Sequence, residues 1–425
     1  MVPKRRIALI SDLHIGHEVI SVDLCPYELD PKAKFGLETE FLKKFRMFVG
    51  SDEFRSDGAV DMLCVTGDIS DKANPAEFEH AHSVILEIAD ALGVPNDKVF
   101  FVPGNHDVNW PVMKLDPGGF WGKFRYEPLL QDRLIFRSQL AEAVTGAYDV
   151  SPHFVAWETG GDLIVGINSA AFDDPNPFDG KHHGLIQQET IQKLEVFLQS
   201  RPLNFDGVRI CLVHHHPLNY SDSRPDMADF SAATNSENLF KLLSEHRFDL
   251  VFHGHKHVPQ LNHLSQITNG HPVTILGAGS LSAQISPKWC GLAQNQFHVV
   301  SVEGRDDSSE VAFGFVATWN YLGETWRRAN SLIGLCAKEG FGTAFTPAEL
   351  EHQISNHIEQ TLTTTSVQLW KWPQIERELP RLSYASTRAI HDELQSVSIK
   401  YGFEFNGDLQ TEKKSWLMIR EAVAS

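Results

Sequence analysis

Cysteine is scarce and unpatterned in this chain. Its 425 residues hold five, Cys25, Cys64, Cys211, Cys290 and Cys336. The number is odd, no two stand as Cys-x-x-Cys, and several lie in apolar, strand-like runs. A disulfide framework is therefore not expected, and reduced core thiols in a cytoplasmic setting are. Long hydrophobic runs are also missing, so no membrane span is expected. The basic start, Met1-Val2-Pro3-Lys4-Arg5-Arg6, is like that of a signal peptide. The apolar run behind it is short and leads straight into Asp12 and His14, so it reads as a first strand. Positive charge is in deficit, with 37 Lys and Arg against 55 Asp and Glu and a net charge of -18. That sign argues against strong sequence-independent duplex binding, though not against a local basic groove or a nucleic-acid-binding partner. Internal repeats and low-complexity tracts are absent.

The composition, 42% hydrophobic and 22% charged, is that of a soluble globular protein. The length exceeds one ordinary core and implies a large domain with an accessory domain. Residues 5–12 and 61–65 read as strands ending in polar loops. Glu38 to Val49 has one apolar helical face. Pro75 to Leu92 reads as a helix with Asn74 as N-cap and Gly93 as stop. Lys98-Val99-Phe100-Phe101-Val102 is a buried strand broken at Pro103-Gly104. Strand runs follow at 153–158 and 163–168 around Gly160-Gly161, and at 208–213, 250–252, 273–276, 297–302 and 311–318. Helices are expected at 186–198 and at 236–246, the latter with Ser236 as cap. This alternation predicts an α/β layered fold. Residues 108–150 are an irregular insertion rich in Trp and Phe, either a lid or wall of a site or a packed excursion. Past Trp326 the apolar spacing turns helical, so 1–326 is expected to be one domain and 327–425 a mainly helical accessory domain.

Polar residues gather where the strands end, the place where ligands bind in open α/β sheets. They are Asp12, His14, Asp68, Asn105, His106, His215, His255 and His257. Oxygen donors mixed with imidazoles suit Mn, Fe, Zn or Co better than Ca or Mg. There are too many donors for one ion and about enough for two ions sharing a carboxylate. Two-metal sites clamp the attacking and leaving oxygens of a displacement at phosphorus. In the run His214-His215-His216 an alternating strand allows only one or two side chains to face such ions. His17 and His183 read as solvated or supporting histidines, Lys256 as facing solvent or substrate, and Asp107 as structural.

The ordered set Asp12/His14, Gly67-Asp68/Asp71, Gly104-Asn105-His106-Asp107, His215/Pro217 and Gly254-His255/His257 resembles the calcineurin-like metallophosphoesterase superfamily over residues 5–320. The resemblance implies a four-layer αββα sandwich and a dinuclear centre, with Mn or Fe foremost and Zn, Co or Ni as alternatives. It implies that Asp12, His14 and His257 hold one metal, that Asn105, His215 and His255 hold the other, and that Asp68 bridges. Spacing to Pro217 selects His215, with His214 and His216 as alternatives. It further implies in-line attack by a metal-bridging hydroxide, with His106 at the leaving oxygen. Asp71 resembles the carboxylate that orients this histidine in part of the family.

His183-Gly184-Leu185 with Gln188, Leu194-Glu195 and Leu198, together with the triple histidine before Pro217, resembles the branch containing class III cyclic-nucleotide phosphodiesterases. The leading expectation is thus a phosphodiesterase acting on a nucleotide or nucleic acid. The Asp-Leu-His-Ile-Gly and Gly-Asn-His-Asp loops are also similar to those of nuclease subunits of double-strand-break repair complexes. There, residues 327–425 would dock a protein partner such as an ATPase, or a second copy of the chain. A silent scaffold is a third reading, opposed by the complete donor set. A phosphoprotein phosphatase fits less well, because Lys72 and Val108 follow Asp71 and Asp107 where that branch carries Arg.

Overall fold

The computed structural model describes residues 4–26, 40–107, 147–150, 154–170, 184–203, 206–218, 232–264, 270–285, 293–305, 310–329, 334–342, 347–361, 368–371, 377, 379, 382, 384–407 and 417–420; in some of these only the backbone is described. Most of the 108–150 insertion and His183 lie outside these residues, although 147–150 form a strand.

Two seven-stranded sheets carry the fold. The first is built on β1 (Arg5–Ile10), which pairs in parallel with β2 (Met62–Val65); β2 pairs in parallel with β3 (Val99–Phe101). On its other edge β1 runs antiparallel to β11 (Gln296–Arg305). β12 (Ala312–Leu322), β13 (Thr325–Arg328) and β14 (Lys338–Phe341) complete this sheet. The second runs in the order β4 (Ala147–Val150), β5 (Phe154–Thr159), β6 (Asp162–Ile167), β7 (Arg209–Val213), β8 (Leu250–His253), β10 (Val273–Gly277), β9 (Gln260–Leu264).

Alternation along the strands builds three cores. Ile7, Leu9, Met62, Cys64, Phe100 and Val102 meet Ile210, Leu212, Leu250 and Phe252 between the sheets. Ala8, Ile10, Leu63 and Val65 face outward onto α1 (Phe41–Val49), the short α2 (Asp52–Arg55) and α3 (Pro75–Leu92). Cys211, Val213 and Val251 face outward on the other side onto α4 (Gln188–Gln199) and α5 (Ser236–Glu245). The result is the expected αββα sandwich, with strand backbones buried between layers and so rich in uninterrupted apolar runs.

Helix α3 shows how local signals set an element. Asn74 Oδ1 accepts from Ala76 N at 3.0 Å, Glu77 Oε2 accepts from Asn74 N at 3.1 Å, and Gly93 closes the helix at φ 72°. In α5 the expected cap is displaced by one residue. Ser236 is the first helical residue, and Asn235, at φ 69°, holds the N-cap position.

β13 straddles residue 326 and β14 lies beyond it, so the first sheet continues past the expected domain boundary. Residues further on hold α6 (Pro347–Thr361) and α7 (Thr387–Tyr401), packed through Leu350, Ile354, Ile358, Ile390, Leu394 and Val397. They also hold a three-stranded antiparallel sheet, with β17 (Leu417–Arg420) between β15 (Gln368–Lys371) and β16 (Glu404–Asn406). Among the described residues no helix is long and apolar enough to cross a membrane.

Candidate metal centre

The loops that leave β1 and β2 are stitched to each other. Asp12 N donates to Gly67 O (3.0 Å), His14 N to Asp68 O (2.9 Å), Ile15 N to Ile69 O (3.0 Å) and Asp71 N to Ile15 O (3.1 Å). Asp107 ties in the third loop, its carboxylate accepting from Gly104 N (2.8 Å), Ser70 N (2.9 Å) and Ser70 Oγ (2.9 Å). Burial first, and then the charge of Asp68, raise the Asp107 pKa to about 6. Glycine is required where the loops touch. A Cβ on Gly104 would collide with the Asp68 carboxylate, and one on Gly254 with Ser11 and Asp12.

These constraints hold donor residues in an unfavourable backbone shape. Asp12, His14, Asp68, His255 and His257 have φ of 52°, 50°, 49°, 75° and 57°, the left-handed region that L-residues with side chains avoid. Such outliers gather where surrounding structure over-determines them, as at ligand sites.

The side chains form three overlapping groups: Asp12, His14 and His257; His14, Asp68 and His106; Asp68, His214 and His255. His257 Nε2 lies 3.2 Å from Asp12 Oδ1, and His14 Nε2 lies 3.6 Å from Asp68 Oδ2. His214 Nε2 lies 3.3 Å from Asp68 Oδ2 and 3.1 Å from Asn105 Oδ1, while His255 Nδ1 lies 2.9 Å from that same Oδ1. Two donors each about 2.1 Å from a shared ion stand roughly 3.0–3.4 Å apart at octahedral or tetrahedral angles, so this spacing suits ligation. His14 Nε2 is buried and makes no hydrogen bond, which leaves its lone pair for an ion.

The electrostatics agree with the geometry. Burial, and then the neighbouring His106, push His14 down to about 3, so its ring is neutral. Burial and the adjacent histidines hold His255 well below its usual value. Burial alone would raise the carboxyl pKa values of Asp12 and Asp68. Instead His257 lowers that of Asp12, and His214 and His106 hold that of Asp68 well below the usual range. Burial likewise opposes a charge on His214, but Asp68 and Asp12 raise it to about 9, so this ring, unlike His14, would have to give up a proton before it could hold an ion. Ionised carboxylates facing neutral imidazoles are the forms that bind a divalent ion.

The triple histidine turns out differently from the spacing argument. His214 joins the cluster. His215 belongs to none of the three groups, and its Nδ1 lies 2.8 Å from Ser169 Oγ. The strand explains why: Ile210 and Leu212 face the space between the sheets, whereas Cys211 and Val213 face outward. The same alternation carried past Val213 sends His214 inward onto Asp68, while the His215 ring, held at Ser169, still lies 4.6 Å from that of His255. His216 lies nearly parallel to His255, with ring centroids 5.7 Å apart.

His106 N donates to Asp68 Oδ1 at 2.8 Å, placing this residue beside the carboxylate that two of the three groups share. Its Nδ1 meets the carbonyl oxygen of Asp71 at 2.8 Å and stands 4.0 Å from Asp71 Oδ1. The orienting contact therefore comes from the backbone of residue 71 rather than from its carboxylate. A carbonyl oxygen can only accept, so Nδ1 is the donor in this contact and Nε2 is the nitrogen left to face a substrate. The loop after β10 was not expected to take part. Its Ser280 Oγ donates to Asp12 O (2.7 Å) and Ser282 Oγ to Leu13 O (2.8 Å), clamping the first loop from behind.

A model of the calcineurin-like phosphoesterases matches residues 5–259, more than half of the chain. The chain belongs to that family. It is accordingly a metal-dependent phosphoric ester hydrolase, and the family is dinuclear. The phosphoesterase is also similar in structure to a purple acid phosphatase from yellow lupin, at 12% identity and a TM-score of 0.45, over 77% of this chain and 53% of that one. A phosphopantetheinyl hydrolase from Mycobacterium tuberculosis matches at 14% identity and a TM-score of 0.33, over 66% of this chain and 91% of that one. A 5'-nucleotidase from Candida albicans matches at 10% identity and a TM-score of 0.35, over 71% and 49%. The phosphoesterase thus spans about half the length of the lupin and Candida proteins. No curated protein matches it in sequence.

Proposed function

We propose that this phosphoesterase hydrolyses a phosphodiester of a nucleotide or nucleic acid, in the cytoplasm, with Mn or Fe as its native metals. The observation that carries the proposal is the pair of donor groups sharing Asp68, with His106 beside the shared carboxylate. Asp12, His14 and His257 would hold one ion, and Asn105, His214 and His255 the other. Two such ions supply Lewis acidity and lower the pKa of bound water. The chain's own contribution is positional. The stitched loops keep the donors apart, and the Asp71 carbonyl fixes the His106 ring so that its Nε2 can meet the leaving oxygen. Lys72 and Val108 occupy positions where a monoester-gripping Arg would stand, which favours a diester. The buried thiols Cys25, Cys64, Cys211 and Cys336 suit a reducing compartment.

The test is a parallel assay of Mn-loaded protein on linear single-stranded DNA and on cyclic AMP, with Asp68→Ala as blank. Hydrolysis of cyclic AMP alone assigns a small-nucleotide phosphodiesterase. Cleavage of DNA assigns a nuclease, whose residues beyond 341 would then dock a protein partner. Turnover of phosphomonoesters with neither diester cleaved would overturn the reading.

A further inference from the structure

A cavity of about 290 Å³ opens on the outer face of the first sheet, at the end away from the metal centre. Arg6 lines it at the start of β1, and the six-residue step from Arg6 to Asp12 puts it about 20 Å from the donor cluster. Arg328 on β13 and Lys338 on β14 line it too, over a floor that includes Phe315.

Its charges are unequally matched. Both carboxylates in the lining are already engaged, Asp57 by Arg328 Nη2 at 3.3 Å and Glu303 by Lys4 Nζ at 2.7 Å. Arg328 is further shared with Glu53, at 3.4 Å. Arg6 and Lys338 have no carboxylate within ion-pair distance among the described residues. Among the described residues the Arg6 side chain donates only to the Gly58 carbonyl, and its Nε is buried without a hydrogen bond there. Lys338 Nζ rests 3.9 Å from the centre of the Phe315 ring. Burial lowers the Arg6 pKa despite the carboxylates of Asp57 and Asp61 nearby, which raise it.

We propose that this cavity is a second ligand site, binding a phosphate-type oxyanion, free or carried on a small ester, between the Arg6 guanidinium and the Lys338 ammonium. A guanidinium fork matches phosphate geometry, and a lysine adds a mobile point charge. The site lies at a seam. Thr387, at the start of α7, donates its Oγ1 to Lys338 O and its N to Glu339 Oε1, and Tyr384 packs on Phe315. An anion held there would tie β1 to the strand that anchors the C-terminal helices. The proposal does not depend on the chemistry assigned to the metal centre.

Crystals of the full-length, metal-loaded protein soaked in tungstate provide the test. An anomalous peak within hydrogen-bond reach of Arg6 and Lys338 is expected, separate from any peak at the metal centre. It should vanish in Lys338→Ala, whose exposed side chain is not needed for folding, and return in Lys338→Arg. Competition with orthophosphate and with a nucleoside monophosphate then separates the two sources, since the tighter ligand displaces tungstate at the lower concentration. In Lys338→Ala the affinity at this site should fall by roughly tenfold or more, the cost of one charged hydrogen bond. No peak in the wild-type cavity, a peak indifferent to Lys338→Ala, or no displacement by either phosphate would overturn the proposal.

Discussion

The sharpest disagreement between spacing and geometry concerns His214 and His215, and it can be settled by substitution. In the structure His214 Nε2 is 3.3 Å from Asp68 Oδ2, while His215 Nδ1 points to Ser169 Oγ at 2.8 Å. His214→Ala should therefore remove a donor from the second ion. Bound metal, counted by elemental analysis after gel filtration, should fall from two ions per chain towards one. Activity should drop by at least about 100-fold, since even indirect supports of a ligand are worth about 10–100-fold. His215→Ala removes a fully buried ring and its contact to Ser169, so its main cost should be stability. A loss of about 1–3 kcal/mol in urea unfolding is expected, with both ions retained. The reverse pattern, with His215→Ala losing one ion and His214→Ala keeping two, would refute the strand-alternation argument.

Other outcomes follow from the same geometry. Asp68→Ala should abolish activity and deplete both ions together, read by the same metal count, because Asp68 belongs to two donor groups. His106→Ala should keep both ions and slow turnover by roughly 10²–10⁴, the range for a lost general acid. Asp71→Asn should hold turnover within about tenfold of wild type, because the carbonyl that orients His106 survives it; a loss comparable to that in His106→Ala would show that the carboxylate matters. Asn74→Ala should lower unfolding stability by about 1 kcal/mol through loss of the capping box, with no change in metal content.

Much of this was legible in the sequence because the signals are local. Asn74, Pro75 and Gly93 delimit α3 without reference to the rest of the chain. The strand cores announce themselves because they are buried on both faces. That Asp12, His14, Asp68, His255 and His257 would meet was legible too, since polar loops at the ends of neighbouring strands lie side by side. The choice within the triple histidine also had a readable signal, the alternation of Ile210, Cys211, Leu212 and Val213, but the spacing to Pro217 pointed the other way. Ser280 and Ser282 gave no signal, because a hydroxyl that meets a carbonyl some 270 residues away leaves no periodicity. The short strands β14 to β17 were hidden for a similar reason. Each has three or four residues, and β14, β15 and β17 pair with stretches more than twenty residues away in sequence.

The left-handed donors have a consequence for how this protein responds to engineering. Five donor residues sit where a side chain costs on the order of 1–2 kcal/mol relative to glycine, in a molecule whose total stability is expected to be only about 5–15 kcal/mol. A screen for thermal resistance alone would be drawn to glycine or asparagine at Asp12, His14, Asp68, His255 and His257. Each success would relax a loop and delete a candidate ligand at once. Heat tolerance selected blindly in this chain would therefore converge on the proposed metal centre, and the hardiest variants are expected to be the inactive ones.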